Sequence, residues 1–249
     1  MFTPPGDEAS ALADNIKKVI EFRSSNSSRS RQKAIGLSEI GDPCARKLAY
    51  KILDWPQTNG STDPWASIQG TAIHSWLADA FERFNDKDDP RFMIEFRVKV
   101  SEDLGGTCDL YDKVDGVVID HKCMGTTSMK SRKRDGMTAQ QRVQVNAYGY
   151  GLEQQGHEVK SVALACYPLG GRLDGLHTII EPYDRQIAIN AIERLDGIKV
   201  LVWQLDVEKN PESWSLIPAT PAYNCIYCPF YLPGSQDLSK GCPGEGSVA

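Results

Sequence analysis

The amino-acid sequence predicts an α/β fold, and three observations carry that expectation. Apolar residues change from a period of about 3.6 to a period of 2 and back along the 249 residues. The strand-like segments open with a run of three, two of them joined as a hairpin. A helix-like segment then separates them from a further apolar strand, so the predicted order is helix, three strands, helix, strand.

Taken in order, residues 8–22 (EASALADNIKKVIEF) have helical periodicity, and the basic, Ser-rich stretch Arg23 to Lys33 reads as a mobile linker. Asp42 to Leu53 predicts a short helix, with Asp42 as its cap, Pro43 in its first turn and Cys44 carried within it. A strong helix is expected from Pro64 to Phe84, and Met93 to Val100 alternates like a strand. Residues 107–121 predict the hairpin, Thr138 to Gln154 a helix, Ser161 to Tyr167 a buried strand, and Tyr183 to Val207 a long amphipathic helix. Three regions follow: 1–63, a helical segment and linker; 64–208, the α/β core; and 209–249, a Pro- and Gly-rich tail.

Composition narrows the function classes. Hydrophobic residues make up 41%, normal for a packed core, and no apolar run approaches the ~20 residues that span a bilayer. No secretory segment is apparent, which points to the cytoplasm. The net charge of −5 gives no global attraction to nucleic acid, so DNA binding would need local basic patches or metal ions. Seven cysteines without an export signal favour metal ligation or buried thiols over disulfides. There is no internal repeat and no Walker A sequence.

The chemistry is concentrated in Gly106 to Lys122, GTCDLYDKVDGVVIDHK. Across a hairpin with an even loop, Asp109 faces the same side as Asp120, and the strand period puts Lys122 there too. Two carboxylates side by side in a fold call for a cation, so Asp109 and Asp120 are candidate ligands for Mg²⁺ or Mn²⁺, with the backbone carbonyl of His121 as a further one. Lys122 would then stand beside an attacking water or stabilise a pentacovalent phosphoryl transition state. Asp112, Lys113 and Asp115 read as turn and solvent residues.

His74 follows Gly70, which would permit close backbone approach, and could add an imidazole ligand; a core-edge histidine is the structural alternative. Gln144 and Tyr148 share a helix face and could reach the same site, Gln144 positioning water or phosphate and Tyr148 stacking on a base. Lys130, Arg132, Lys133 and Arg134 form the densest basic run and are a candidate phosphate clamp, although such runs are also ordinary solvated loops. Cys108, Cys123 and Cys166 read as small buried residues. Cys225, Cys228 and Cys242 lie in a tail with little capacity for a core of its own, and Cys44 is the natural fourth ligand for zinc or a 4Fe-4S cluster.

Gly70-Thr-Ala-Ile-His74, Gly106-Thr-Cys-Asp109, Asp120-His-Lys122 and Gln144-Val-Asn-Ala-Tyr148 together resemble the successive motifs of RecB-type nucleases in the PD-(D/E)XK superfamily. The resemblance implies a restriction-endonuclease-like αβββαβ core with a mixed central sheet flanked by helices. Cys44 with Cys225, Cys228 and Cys242 is similar to the iron-sulfur subgroup, which includes CRISPR-associated RecB-like and stand-alone phage exonucleases. One departure is that thirteen residues separate Cys228 from Cys242, where the family places its last cysteine close behind the pair. Glu95 is a further acid near the implied site. The expected function is a metal-dependent DNA exonuclease acting on single-stranded or linear ends in phage recombination, replication or DNA processing, in the host cytoplasm if phage-encoded. An endonuclease trimming DNA for CRISPR spacer capture, with an integration or recombination partner, is the alternative. A non-catalytic nucleic-acid-binding protein is a third reading, disfavoured by the intact Asp109, Asp120 and Lys122. The fold family is also compatible with an oligomer, and no membrane role is expected.

Overall fold

The structure is a computed structural model and describes residues 7–26, 34–60, 63–220 and 223–244. Its elements are α1 (Asp7–Ser25), α2 (Ala45–Ile52), α3 (Trp65–Phe84), β1 (Phe92–Lys99), β2 (Gly105–Asp112), β3 (Val117–Met124), α4 (Thr126–Asp135), α5 (Ala139–Gln154), β4 (Ser161–Pro168), β5 (His177–Pro182) and α6 (Arg185–Leu205). The five strands form one mixed sheet in the order β1-β2-β3-β4-β5, antiparallel except for the β3–β4 pair. Helices flank the sheet, which agrees with the expected architecture.

Local chemistry accounts for the main boundaries. Thr138 caps α5 through a reciprocal box, its hydroxyl accepting from the Gln141 amide while the Gln141 side chain accepts from the Thr138 amide. Asp184 caps α6 by accepting from the Gln186 amide, 2.9 Å. Even-numbered strand residues Val98, Val118, Val162, Leu164 and Cys166 join Val145, Leu152, Ala188 and Leu195 in the main core, which packs α5 against the sheet and α6 against α5.

A second core joins α2 and α6 to the tail, with Tyr50 stacked on Trp214 and beside Phe230. The tail therefore does hold apolar structure, shared with α2 rather than its own. No helix among the described residues is long and apolar enough to cross a membrane.

Several local expectations need correction. The helix predicted from Asp42 begins at Ala45 with Cys44 as its cap, because the Asp42 carboxylate turns back to accept from the Cys44 amide, 2.9 Å, and to pair with Lys47. Arg23 to Ser25 continue α1 instead of starting the linker, and the rest of that linker, 27–33, lies outside the described residues. The basic run 130–134 is the C-terminal half of α4, since Lys and Arg are good helix formers and Gly125 and Gly136 punctuate the ends. β5 is absent from the sequence reading because its alternate residues are exposed and it is short. Asp112 is buried, gripped by Arg91 and accepting from the Val114 amide, so it is structural rather than a solvent residue. Cys108 and Cys166 are fully buried as expected, whereas Cys123 is half-buried.

The contact of α5 with the start of α6 depends on Gly149. A β-carbon there would lie 2.8 Å from a ring carbon of Tyr183, whose hydroxyl is anchored on Glu153 at 2.7 Å. Gly149→Ala is expected to cost about 1–3 kcal/mol, measured by urea unfolding at constant m-value.

Candidate active site

The β2–β3 ladder ends at Leu110↔Ile119, one residue before Asp109 and Asp120 would face each other. From there β3 stays paired to β4, and β2 turns towards β1. Asp109 spans the opening by accepting the His121 amide at 2.7 Å, so a side chain takes the place of the missing backbone acceptor. The alternation of β3 then presents Asp120 to α5 and His121 to α3.

On the α5 side, Gln144 Nε2 donates to Asp120 Oδ1 at 2.8 Å and contacts the Tyr148 hydroxyl at 3.3 Å. The Lys122 ammonium lies 2.6 Å from Asp120 Oδ2 and 3.4 Å from Gln144 Oε1. That 2.6 Å contact makes Lys122 the charge partner of the buried Oδ2. On the other side, α3 brings His74 Nδ1 to 3.5 Å from Asp109 Oδ1.

Glu95 completes a three-residue group. Ligand atoms of His74, Glu95 and Asp109 all lie within 4.8 Å of one another. Glu95 adopts a left-handed backbone, φ 45°, where the β1 pairing skips from Ile94 to Phe96. Such a conformation costs a non-glycine residue on the order of 1–3 kcal/mol and concentrates at functional sites.

The electrostatics divide the acids. Burial pushes the Asp120 carboxyl up to about 6, with Lys122 opposing and Asp109 adding to the rise. Burial also works to raise Asp109, but the His74 contact and the His121 amide outweigh it, and this group ends below its ordinary value. The same hydrogen bond to Asp109 raises His74. Burial lowers His121 to about 4, so this ring is neutral where it sits among Phe81, His74 and Tyr167.

One cleft collects His74, Asp109, Asp120, Lys122, Gln144 and Tyr148, with Glu95, Arg97, Thr107 and Ser38. Gly106 keeps it compact, because a β-carbon there would lie 3.0 Å from the Tyr148 ring and 3.3 Å from Leu37. Gly70 has no such role, since nothing lies within 4 Å of its missing β-carbon. Lys130, Arg132, Lys133 and Arg134 are not among the lining residues; Arg132 donates to the Gly136 carbonyl at 2.6 Å and Arg134 pairs with Asp135. Glu95 and Arg97 also line the cleft, Arg97 as the strand partner of Thr107 and Glu95 where the β1–β2 pairing is interrupted.

A second cavity gathers Cys44, Cys225, Cys228 and Cys242, with Lys47 and Tyr50 at its wall. Burial raises the Cys228 thiol.

The chain matches a family model described as the PD-(D/E)XK nuclease superfamily over residues 38–231. Among solved structures it is similar to a phage related exonuclease from Haemophilus somnus 129PT, with 12% identity and a TM-score of 0.49 over 71% of this chain and 96% of that one. It is also similar to the alkaline exonuclease LHK-Exo from Laribacter hongkongensis, with 10% identity and a TM-score of 0.50 over 76% and 97%. LHK-Exo in complex with dAMP matches at 12% identity and a TM-score of 0.50 over the same shares. No curated protein sequence matches the chain.

Proposed function

Because the chain belongs to the PD-(D/E)XK nuclease superfamily, we propose that it is a Mg²⁺- or Mn²⁺-dependent DNA exonuclease that hydrolyses phosphodiester bonds at linear ends. The observation that carries this is the cleft in which His74, Glu95 and Asp109 converge and which the buried Asp120 and its partner Lys122 also line. Carboxylate oxygens with one imidazole suit a hard divalent cation, and the donor set fits it. When bound, such a cation supplies Lewis-acid polarisation of the phosphate and a more acidic water.

The protein groups have separate tasks. Gln144 holds Asp120 by Oδ1 while Oδ2 meets the Lys122 ammonium. Lys122, tethered by Asp120 and Gln144, keeps an ammonium where negative charge builds on the phosphoryl oxygens. Tyr148, against Gln144, closes the floor and limits water there.

For the cysteine cavity, we favour a 4Fe-4S cluster in a structural role. Tetrahedral zinc with Zn–S near 2.3 Å wants sulfurs about 3.8 Å apart. Four thiols lining one cavity suit either group, and zinc remains the competing occupant. The biological setting we favour is phage recombination, replication or DNA processing, within a host cytoplasm.

Digestion of end-labelled single- and double-stranded linear DNA beside a closed circle, with Mg²⁺ or Mn²⁺ and protein purified without oxygen, tests the reading. Loss of linear DNA with the circle intact is expected. An intact, metal-supplied protein that cleaves neither would overturn it, and cutting of the circle would replace exonuclease with endonuclease.

A further inference from the structure

Only two strong cations line the cleft, Lys122 and Arg97. Lys122 is committed to Asp120. The Arg97 side chain is exposed and, among the described residues, has no carboxylate or carbonyl partner. Every other arginine from Arg46 to Arg194 is held by an acid or a backbone carbonyl. An uncommitted guanidinium in a cleft dominated by Glu95, Asp109 and Asp120 serves no internal pairing.

Its placement is specific. Arg97 stands two residues beyond Glu95 on β1, both line the cleft, and the strand partner of Arg97 on β2 is Thr107, two residues before Asp109. The guanidinium lies over Gly105, with Nη2 3.4 Å from where a β-carbon would be. Two residues along a strand advance about 6.6 Å, close to the interval between neighbouring phosphates of a nucleic-acid strand. A phosphate held at Glu95 and Asp109 would therefore bring the next phosphate to Arg97 and the Thr107 hydroxyl.

Resting on the nuclease reading of this cleft, we infer that Arg97, assisted by Thr107, is a positioning residue that grips the phosphate adjacent to the scissile one. A guanidinium fork matches two phosphate oxygens, and this grip fixes the register of the strand without reading its bases.

The test is a walk of labelled oligonucleotides, each with one neutral methylphosphonate linkage at a successive position from the end. Binding is followed by fluorescence anisotropy with calcium, a hard cation for the same oxygen ligands. For wild type, one linkage is expected to weaken binding about tenfold. Arg97→Ala should bind unmodified DNA about tenfold more weakly, lower the salt slope by about 1 and lose sensitivity at that linkage, with Arg97→Lys intermediate. Unchanged affinity, slope and positional sensitivity in Arg97→Ala would overturn the inference, as would absence of binding by wild type. Cleavage of unmodified DNA with Mg²⁺ or Mn²⁺, run in parallel, separates the two readings. If wild type cleaves and Arg97→Ala behaves identically, the grip alone fails. If the positional signature appears without cleavage, the nuclease reading fails and the grip stands.

Discussion

Asp120→Asn is expected to reduce DNA cleavage by on the order of a thousandfold or more while leaving the melting temperature unchanged or raised. Asp120 is 1% exposed, and its ion-pair partner, Lys122, is itself partly open to solvent. A carboxylate in that position is costly to desolvate. Asparagine retains the volume and the oxygen that accepts from Gln144, and it removes the charge. Its amide would face Lys122, whose side chain is 29% exposed and can turn into the cleft. Little folding energy is therefore lost, whereas the charge that draws a cation is gone. The combination of dead enzyme and undiminished stability marks a group kept for function at the expense of the fold. Thermal unfolding and the end-label assay on one preparation decide it. Cleavage within tenfold of wild type would remove Asp120 from the machinery. A fall of more than about 8 °C, equivalent to roughly 2–4 kcal/mol for a chain of this size, would make it a structural residue instead.

The sequence disclosed the parts of the fold governed by local rules. The hairpin register could be read because the turn places an even number of residues between Asp112 and Val117, which sets Leu110 opposite Ile119; beyond that pair the ladder ends, and Asp109 turns to His74 and the His121 amide while Asp120 meets Gln144. The helix expected from Thr138 to Gln154 belongs to the same class, with Thr138 as its cap. Less legible was anything set by distant partners. Nothing in the residues around Glu95 signals a left-handed backbone, since that geometry comes from the interruption of the β1–β2 ladder. Arg97 was invisible for the same reason: its interest lies in what the fold leaves it without. In the run 130–134 charge density was easy to see, whereas its position on α4, outside the cleft lining, required tertiary structure.

Disabling the cysteine site is expected to lower the melting temperature by about 10 °C or more, with cleavage at 20 °C held within about threefold. The four cysteines come from the start of α2 and from three points in the tail, so whatever they hold ties Cys44 to Cys242 across nearly the whole chain. A link over so long a loop removes much unfolded-state entropy, and the binding energy of a structural metal group is folding energy. A loss of ~3 kcal/mol corresponds to about 10 °C at this length. The second core, with Tyr50, Trp214 and Phe230, lies against this cavity and would be the first to loosen. Cleavage is buffered because no residue lines both cavities. The segment that runs between them keeps its own anchors: Leu37 and Ile40 are buried, Gln140 donates to the Ser38 carbonyl at 2.9 Å, and Arg194 donates to the Asp42 carbonyl at 2.8 Å. Cys225→Ser with Cys228→Ser, purified without oxygen, is the variant to compare with wild type by visible absorption, metal content and thermal unfolding. A brown wild type with about four irons, and a colourless, less stable variant, is the expected pair. Stoichiometric zinc in a colourless wild type would replace the cluster while keeping the staple. An unchanged melting temperature with no metal in either protein would make the four cysteines ordinary thiols and leave the tail held by its apolar packing alone.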